Sequence, residues 1–176
     1  SPIASQWNSN SYGNSAISGF YDNTNYLTTT QVPVSTFSLV GRIKITSNNT
    51  GFNNLFSGGS YILMLFYYMK FQLWTAFEYG GLDFGSALDA DKWYTFAFTR
   101  YGDNTTNGYK LYYNGILVAQ ADSTISSGFG TNPFLIGSRY DQPTTQCFNG
   151  SIDYLYWYPN RCLSDSEVKK LSDEPY

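Results

Sequence analysis

The C-terminal segment constrains the fold most strongly, because it contains one long strand followed by one short helix. Residues 148–158 have the sequence FNGSIDYLYWY, in which apolar and polar side chains alternate over a length that suits a single strand. Ser164 then precedes Glu167 by three residues, which is the spacing of a helix capping box, and Val168 begins a short apolar face. A helix this short is not stable by itself, so we expect it to dock on a sheet.

The rest of the chain consists of strand-length apolar runs separated by clusters of Gly, Asn, Asp and Ser, a pattern typical of an antiparallel sandwich. In the run 37–45, Ile43 and Val40 point to opposite faces. The pair Asn114-Gly115, between two apolar runs, predicts a tight hairpin. Further strands are predicted at 61–67, 71–77, 92–100 and 134–137. We therefore expect an all-β, antiparallel two-sheet β-sandwich with one short C-terminal helix.

Composition argues against several classes of protein. The net charge of -3, with only 13% charged residues, gives no basic surface of the kind that binds nucleic acid. The longest apolar run, residues 61–69, has the length of a strand and not of a membrane-spanning helix, so we expect no membrane insertion. The chain contains no histidine, which removes the usual general base and most zinc or copper sites.

Aromatic residues make up 19% of the chain, and 17 of them are tyrosines. Tyrosine suits surfaces that are partly apolar and partly wet, such as binding faces. It is also a favourable strand residue in its own right. The excess therefore leaves two interpretations open, a binding surface and ordinary sheet packing.

The two cysteines, Cys147 and Cys162, are predicted to be free thiols. A disulfide would be the first expectation for an extracellular domain. The strand predicted at 148–158 is about 36 Å long at ~3.3 Å per residue, whereas a disulfide needs Cα atoms within about 7 Å of each other. Cys162 is expected to be a buried thiol between strand and helix.

Taken in order, these segments resemble the laminin-G-like jelly roll of the concanavalin A-like lectin/glucanase superfamily, over residues 17–171. The matching pieces are DKW at 91–93, LYYNG at 111–115, LIGS at 135–138, FNGSID at 148–153 and RCLSDSE at 161–167. The resemblance implies a concanavalin A-like jelly roll. Residues 1–15 would form an irregular N-terminal segment, and residues 16–176 would form a single domain.

Catalysis is not expected from these residues. Glucanases with this sandwich carry a strand with the motif Glu-x-Asp-x-Glu, which supplies the two carboxyl groups, about 5 Å apart, that a retaining glycosidase needs. No such motif occurs here, and Glu78 and Asp83 flank Gly80-Gly81, which we interpret as a turn. We therefore expect a protein that is not an enzyme.

The resemblance also suggests a structural calcium ion. Calcium takes several oxygen ligands from carboxylates and backbone carbonyls. Asp153 occupies the acidic position of the FNGSID piece, and Asp22, with the carbonyls near Gly19, would join it if the first and last strands pair. The alternative is that Asp153 accepts backbone hydrogen bonds at the start of its strand.

Sugar binding needs aromatic rings for the C–H faces of the sugar, and amide, carboxylate or hydroxyl groups for its hydroxyls. The resemblance places Leu155 in the core and turns Tyr154 and Tyr156 outward. For each ring the alternative is ordinary sheet packing. The candidate ligand-binding residues are Tyr154, Tyr156, Arg42, Trp74, Tyr79, Asn104 and Arg139. Candidate glycosylation sequons begin at Asn104, Asn48 and Asn149.

The sequence therefore predicts a non-catalytic carbohydrate-binding or adhesion module at an extracellular cell or virion surface, with a glycan as its partner. The alternative is a structural module of a surface or capsid assembly, whose aromatic face packs against other copies or modules of a larger surface protein. A glycan-active enzyme is the third hypothesis, and it requires a pair of carboxylates in one groove. No organic cofactor is expected.

Overall fold

The computed structural model describes residues 7–8, 18–22, 26–30, 34–46, 51–58, 62–75, 78–84, 86–123 and 132–174. The strands in these ranges are β1 (Trp7–Asn8), β2 (Ser18–Asp22), β3 (Leu27–Thr28), β4 (Phe37–Ile45), β5 (Phe52–Gly58), β6 (Ile62–Tyr67), β7 (Lys70–Thr75), β8 (Glu78–Phe84), β9 (Trp93–Arg100), β10 (Tyr109–Tyr113), β11 (Ile116–Ala121), β12 (Phe134–Ile136), β13 (Ser138–Arg139), β14 (Gln142–Cys147) and β15 (Asn149–Pro159). They are followed by the helix α1 (Asp165–Asp173). No helix in the described ranges is long and apolar enough to cross a membrane.

Two antiparallel sheets contain nearly all of the described strands. The seven-stranded sheet has the order β1-β2-β15-β4-β9-β10-β11, and the six-stranded sheet has the order β3-β12-β5-β6-β7-β8. β13 and β14 form a separate two-stranded hairpin. The last strand of the chain therefore lies inside its sheet, between β2 and β4. This is the antiparallel two-sheet sandwich with a C-terminal helix that the sequence predicts.

The main core lies between the two sheets and is filled by the faces that the alternation predicts. Phe37 and Ile43 enter it from β4, and Phe66 and Phe71 enter it from the six-stranded sheet. Trp157 of β15 packs its ring against that of Phe37, with the centroids 4.8 Å apart. Burial of each such side chain stabilises the fold by about 1.5–3 kcal/mol, so this interface between the sheets is the principal source of stability.

Two predicted hairpins are confirmed. Asn114 and Gly115, with φ of 50° and 75°, join β10 to β11, because both residue types accept the left-handed conformation that a two-residue turn requires. The hairpin predicted within 61–77 is formed by β6 and β7. Its turn consists of Tyr68 and Met69, whose φ values of 46° and 67° are also positive, although neither residue type favours them.

Several strands lie where the sequence analysis predicts none. β5 and β14 have the sequences FNNLFSG and QPTTQC, whose Asn, Ser, Thr and Pro residues are typical of turns. Tertiary contacts overrule that preference, and Asn54 Nδ2 donates across to the carbonyl of Gln146 at 3.0 Å. β8 runs through Gly80-Gly81 as a strand, so the interpretation of that pair as a turn is wrong.

Helix α1 docks on the outer face of the seven-stranded sheet. Its predicted capping box is present, since the Ser164 hydroxyl accepts from the N–H of Glu167 at 3.3 Å and the Glu167 carboxylate accepts from the N–H of Ser164 at 2.8 Å. The Ser164 N–H is the main cause of the lowered pKa of the Glu167 carboxyl. Val168 packs with Val40 and Tyr112 in a second buried cluster, so the helix covers part of this face.

Both cysteines are free thiols, as the sequence predicts. The eleven-residue strand β15 separates Cys147 from Cys162 along the chain. Cys147 is buried on β14, and its thiol donates to the Ser138 hydroxyl at 3.9 Å. Cys162 is half-buried in the segment before α1, so the expectation that it is buried between strand and helix holds only in part.

Candidate functional site

A cleft of about 530 Å³ opens on the outer face of the seven-stranded sheet. Thr99 of β9 and Lys110 of β10 contribute to its floor, since they are register partners that alternate with core residues. One wall is the loop 101–108 that connects these strands, and the other is the segment 160–165 that leads into α1. Other polar side chains in its lining include those of Thr36, Thr105, Thr106, Asn107, Asn160, Arg161 and Ser164.

A buried arginine holds the loop 101–108 in place. Arg100 has no exposed surface, and its Nη2 donates to the Asp103 carboxylate at 2.8 Å. Its Nε donates to the Tyr109 hydroxyl at 3.4 Å, and its Nη1 donates to the carbonyl of Ser35. A charge removed from solvent is tolerated only when such partners surround it, so these bonds fix the loop against the rest of the sheet.

Hydroxyl groups complete the attachment of this loop. The Ser123 hydroxyl accepts from the N–H of Thr105 at 3.0 Å and donates to the carbonyl of Gly102 at 2.9 Å. The Thr36 hydroxyl accepts from the N–H of Gly102 at 3.0 Å. Tyr101 projects from the loop with 59% of its surface exposed. A preorganised segment therefore presents this ring at the cleft.

The opposite wall provides the one carboxylate found among the described residues that line the cleft. Asp165 Oδ1 accepts from the Lys110 ammonium at 2.9 Å and from the Tyr112 hydroxyl at 2.7 Å. The Tyr112 hydroxyl, and then Lys110, lower the pKa of the Asp165 carboxyl. Burial and the adjacent Asp165 carboxylate raise the pKa of Tyr112. At neutral pH the wall therefore holds an ionised carboxylate beside an ammonium and a protonated phenol.

The segment 160–165 is fastened to the sheet by Ser38. The Ser38 hydroxyl donates to the carbonyl of Arg161 at 3.0 Å and accepts from the N–H of Leu163 at 2.9 Å. The Arg161 guanidinium lies over the Tyr158 ring, 5.8 Å from its centroid. Both walls of the cleft are thus set by contacts within the protein, before any ligand arrives.

Tyr154 and Tyr156 lie on the outer face, as predicted, but they do not form an open platform. Tyr154 is 9% exposed and belongs to the buried cluster shared with α1, and Tyr156 packs against that cluster. Their rings stack on each other at a centroid separation of 5.0 Å. Leu155 packs against the main core, as predicted. The prediction that the Tyr154 ring is available to a ligand is wrong because Leu163 and α1 dock on this face, whereas Tyr156 is half-buried and its ligand role stays a prediction.

Arg42 and Asn104, two other predicted ligand residues, lie on the same side of the sandwich as the cleft. Arg42 is the register partner of Tyr154, beside the covered part of the sheet. Asn104 is exposed in the loop 101–108, next to the lining residue Thr105, and has a φ of 48°. Asn104 therefore borders the cleft, whereas Arg42 belongs to the neighbourhood of the tyrosine pair.

The predicted ligand residues Trp74 and Arg139 lie elsewhere. Trp74 projects from the outer face of the six-stranded sheet, on the opposite side of the sandwich. Arg139 is on β13, where its Nε donates to Asp141 at 2.5 Å and its Nη1 donates to Gln146 at 3.1 Å. The side chain of Tyr79 lies outside the described residues. The predicted residues that can be placed therefore do not converge on one site.

Asp22 and Asp153 do not meet at one position. β2 and β15 pair, as the calcium hypothesis requires, but the register places Asp22 opposite Asn149, four residues before Asp153. That separation between the two backbone positions is about 13 Å along the strand. A calcium site that Asp153 and Asp22 share stays a prediction. In the described part of the chain, no three His, Cys, Asp or Glu side chains form a group that could hold a metal.

The three sequons lie in different surroundings. Asn104 is exposed in a loop, which is the setting that glycosylation requires. Asn149 lies within β15 between two strands, and its N–H donates to Asn53 Oδ1 at 2.7 Å. Asn48 lies outside the described residues. Glycosylation at Asn104 stays a prediction.

Tyr101, Lys110 and Asp165 are not among the site residues that the sequence predicts. Lys110 and Asp165 are 55 positions apart, and no local pattern links them. Asp165 resembles an ordinary acidic residue in the first turn of a helix. The sequence feature that indicates a binding loop in this region is the polar sequence GDNTT at 102–106. Polar loops on a rigid scaffold often carry binding residues.

Comparison with protein families agrees with this architecture. Residues 21–169 match a laminin-G family that is described as the concanavalin A-like lectin/glucanases superfamily. The match covers most of the chain, from the end of β2 into α1. No curated protein matches the chain.

Solved structures with the same fold include domain 4 of AbnA, a GH43 extracellular arabinanase from Geobacillus stearothermophilus, in complex with arabinotriose. It is 18% identical with a TM-score of 0.69, over 94% of this chain and 80% of that chain. The heptameric SAP-like pentraxin from Limulus polyphemus is 14% identical with a TM-score of 0.67, over 87% of this chain and 80% of that chain. Trypanosoma rangeli sialidase in complex with 2,3-difluorosialic acid is 15% identical with a TM-score of 0.65, over 90% of this chain and 27% of that chain. At these identities the likeness shows the fold alone.

Proposed function

The chain belongs to the concanavalin A-like lectin/glucanases superfamily, and we propose that within it the chain is a non-catalytic carbohydrate-binding module. Its site is the cleft between the loop 101–108 and the segment 160–165. One observation carries the proposal: the exposed Tyr101 ring stands on a fixed loop at the same cleft as the ionised Asp165–Lys110 pair.

This combination of groups is suited to a sugar. The Tyr101 ring offers a flat apolar face to the C–H side of a sugar ring. Asp165 and Lys110 place an acceptor and a donor 2.9 Å apart, so that neighbouring hydroxyls of one sugar bond to one group each. The side chains of Thr105 and Asn107 add hydroxyl and amide groups on the loop side of the same cleft.

The size of the cleft limits the ligand that it holds. Its volume of about 530 Å³ is within the range of about 300–1,000 Å³ for small-molecule sites. A short stretch of an oligosaccharide fits such a volume, whereas a folded protein does not. The affinity of one cleft is expected to be low and to rise when several modules act together, which suits adhesion at a cell or virion surface.

The arrangement of acidic groups supports binding without hydrolysis. A glycosidase needs one carboxyl that donates a proton and a second carboxylate, about 5–9 Å away. Asp165 alone carries a carboxyl among the described lining residues. The Tyr112 hydroxyl and the Lys110 ammonium keep its pKa low, so it does not serve as a proton donor near neutral pH.

Two similar structures support a carbohydrate ligand. The arabinanase domain that shares this fold is bound to arabinotriose, and the sialidase, of which the chain matches 27%, is bound to a sialic acid derivative. We assign binding and not hydrolysis to this domain because its cleft presents a single carboxylate among the described lining residues. Laminin-G-like and lectin-like domains are usually extracellular, and we propose the same location here.

A glycan array tests the proposal. A multimerised form of the chain is probed against neutral and acidic oligosaccharides, and Tyr101→Ala and Asp165→Asn are each expected to lower the signal about tenfold. Tyr26→Ala is the matched control, because Tyr26 is another exposed tyrosine, at 41%, and does not line the cleft. If the wild type binds glycans on the array and both cleft variants bind them equally well, the assignment of the site is contradicted.

A second candidate function is favoured by the edge strand β11, which ends the order of the seven-stranded sheet as described. Its apolar side chains Ile116, Leu117 and Val118 are 64%, 37% and 38% exposed. Exposed apolar edges favour pairing with another chain, so the domain could serve as a structural contact module. A shift of the wild type to a higher mass at high concentration, abolished in Val118→Lys, would support this role; a monomer at all concentrations would exclude self-association through this edge.

A further inference from the structure

The outer face of the six-stranded sheet carries aromatic residues that the cleft does not use. Tyr67 and Trp74 occupy strand positions that alternate with core residues, so their side chains project away from the core. Phe52 is the register partner of Tyr67 and lies on the same face. Tyr68 follows in the turn after β6. These four residues, Phe52, Tyr67, Tyr68 and Trp74, are called the aromatic ledge below.

The rings of the aromatic ledge form one continuous surface. Phe52 and Tyr67 stack at a centroid distance of 4.8 Å. Trp74 meets Phe52 edge to face at 5.6 Å, and Tyr68 meets Tyr67 in the same way at 4.4 Å. Trp74 Nε1 donates to Gln72 Oε1 at 2.9 Å, which fixes the orientation of the indole. The ledge is therefore an ordered surface and not a set of independent exposed rings.

The turn that bears Tyr68 adopts an unfavourable backbone conformation. Tyr68 and Met69 have φ values of 46° and 67°, in the left-handed region that costs free energy for residues other than Gly, Asn or Asp. A two-residue hairpin turn is normally made by Asn-Gly or a similar pair. This turn instead holds a tyrosine with 59% of its surface exposed. The Tyr68 ring gains little from burial, so its placement points to a contact outside the domain.

The chemistry of the ledge favours a neutral ligand. None of its four members is charged, and among the residues whose side chains are described, the exposed Lys70 lies beside it as the register partner of Tyr67. A hydrogen bond with Tyr68 raises the pKa of Tyr67, so the Tyr67 hydroxyl stays protonated at neutral pH. Neutral aromatic faces bordered by hydroxyl groups suit the C–H faces and hydroxyls of a sugar chain. With a net charge of -3, the domain offers no general attraction to an anionic polymer.

We infer that the aromatic ledge is a second binding surface, and that its ligand is a neutral polysaccharide chain. The inference rests on the proposed function, because it assumes that this module binds glycans. The cleft opens on the outer face of the seven-stranded sheet, and the ledge lies on the outer face of the six-stranded sheet. The two surfaces therefore face in opposite directions, and one module binds two glycan strands and cross-links them.

The test uses the full chain as a monomer and soluble arabinan, xylan and a mixed-linkage β-glucan as probes. Binding is measured by isothermal titration, and cross-linking is measured by light scattering of the polysaccharide as the module is added. Tyr68→Asn and Trp74→Ala change the ledge, Tyr101→Ala changes the cleft, and Tyr26→Ala is the control. Wild type and control are expected to bind and cross-link at least one probe.

Each ledge variant is expected to lower the scattering signal at least fivefold while part of the binding is retained, and Tyr101→Ala is expected to do the same. The combination of Tyr68→Asn with Tyr101→Ala is expected to abolish both signals. If both ledge variants cross-link like the wild type while Tyr101→Ala does not, the inference is overturned and the cleft proposal stands. If the ledge variants lose all binding while Tyr101→Ala retains it, the ledge is confirmed as a glycan site and the cleft assignment fails. No binding of any probe by the wild type overturns the inference.

Tyr68→Asn also separates a binding role from a structural one. Asparagine accepts the left-handed conformation more readily than tyrosine, so the variant is expected to unfold at the same or a higher temperature than the wild type. A loss of cross-linking with no loss of thermal stability supports a ligand contact. A parallel fall in unfolding temperature and in binding would instead show that Tyr68 acts through the fold and would overturn the inference.

Discussion

Lys110 Nζ and Asp165 Oδ1 lie 2.9 Å apart, although the two residues are 55 positions apart in the chain. The ion pair joins β10 to the first turn of α1 at the cleft. The two side chains are 32% and 62% exposed, so the pair contributes little to the free energy of folding. Under the proposed function, its place at the cleft assigns the pair to recognition instead.

The pH dependence of binding follows from this carboxylate. The pKa of Asp165 lies below its ordinary value of about 3.9, because the Tyr112 hydroxyl and then Lys110 favour the ionised form. The chain has no histidine, so no group of that type titrates near neutral pH. Glycan binding at the cleft is therefore expected to be constant between about pH 5 and pH 8 and to fall only in stronger acid. Titration calorimetry across this range measures it.

Protonation of Asp165 is expected to lower the stability of the fold as well as the affinity for glycan. Because the pKa of Asp165 is lowered in the folded state, its stabilising contribution is present above the unfolded pKa and is lost as the pH falls through the folded pKa. Asp165→Asn removes the charge and is expected to weaken glycan binding at every pH. The variant is also expected to lack the fall in stability that protonation of Asp165 causes in acid. A midpoint for loss of binding near pH 6 would contradict the role of Asp165.

Replacement of the buried arginine tests whether the loop 101–108 must be rigid. Arg100→Lys keeps the charge but cannot donate in a fork to Ser35 and Asp103. The free energy of unfolding is expected to fall by about 2 kcal/mol, measured by urea denaturation, with faster amide exchange in the loop. Arg161→Lys is the control, because its side chain is 57% exposed and its replacement should cost little. Equal stability of the two variants would contradict the anchoring role of Arg100.

Truncation of Tyr154 is expected to affect stability more than recognition. The ring is 9% exposed and packs in the cluster that α1 completes. Tyr154→Ala should therefore lower the free energy of unfolding by about 2–4 kcal/mol, as measured by denaturant titration. Binding by the fraction that stays folded should match the wild type. Loss of glycan binding without loss of stability would restore Tyr154 as a ligand residue.

Tyr154 also shows where the sequence ceases to be informative. The alternation in β15 correctly assigns Leu155 to the main core and Tyr154 to the opposite face. It does not reveal which segment covers that opposite face, because Leu163 and Val168 approach it only in the folded chain. A strand pattern gives the direction of a side chain and not its exposure. The prediction of an exposed Tyr154 is wrong for this reason, although the strand and the helix are predicted correctly.

Short sequence patterns do not predict the polar strands or the position of the cleft. β5 is stabilised by its neighbours β6 and β12, and its Asn and Ser residues bond to other segments once these are in place. The cleft combines residues from β9, β10 and the segment 160–165. Strand propensity and turn preference act over a few residues, so such juxtapositions are set by tertiary packing.

Removal of calcium is expected to leave binding at the cleft unchanged. Asp22 and Asp153 lie four register positions apart on β2 and β15, away from the residues that line the cleft. The cleft itself presents a single carboxylate, which already accepts from Lys110 and Tyr112. Glycan binding and the unfolding temperature should therefore be the same in EDTA and in millimolar calcium. A marked fall of either quantity in EDTA, reversed by calcium, would contradict this expectation and establish a metal site.

The two thiols provide a probe of the cleft that does not require a mutation. Cys162 is half-buried and lines the cleft, whereas Cys147 is 2% exposed on β14. A maleimide reagent is therefore expected to label Cys162 first, and Cys147 only after unfolding, because reaction requires access to the sulfur. Mass spectrometry of the labelled peptides distinguishes the two positions.

A glycan in the cleft should slow this labelling. Cys162 is flanked in the lining by Arg161 and Leu163, so a ligand seated there restricts the approach of the reagent. The expected result is a labelling rate that falls as the oligosaccharide concentration rises and that gives the same dissociation constant as titration calorimetry. Tyr101→Ala, which should weaken binding, is expected to lose the protection while its unliganded labelling rate stays close to that of the wild type. Protection that persists in Tyr101→Ala would place the glycan outside the contact that Tyr101 makes.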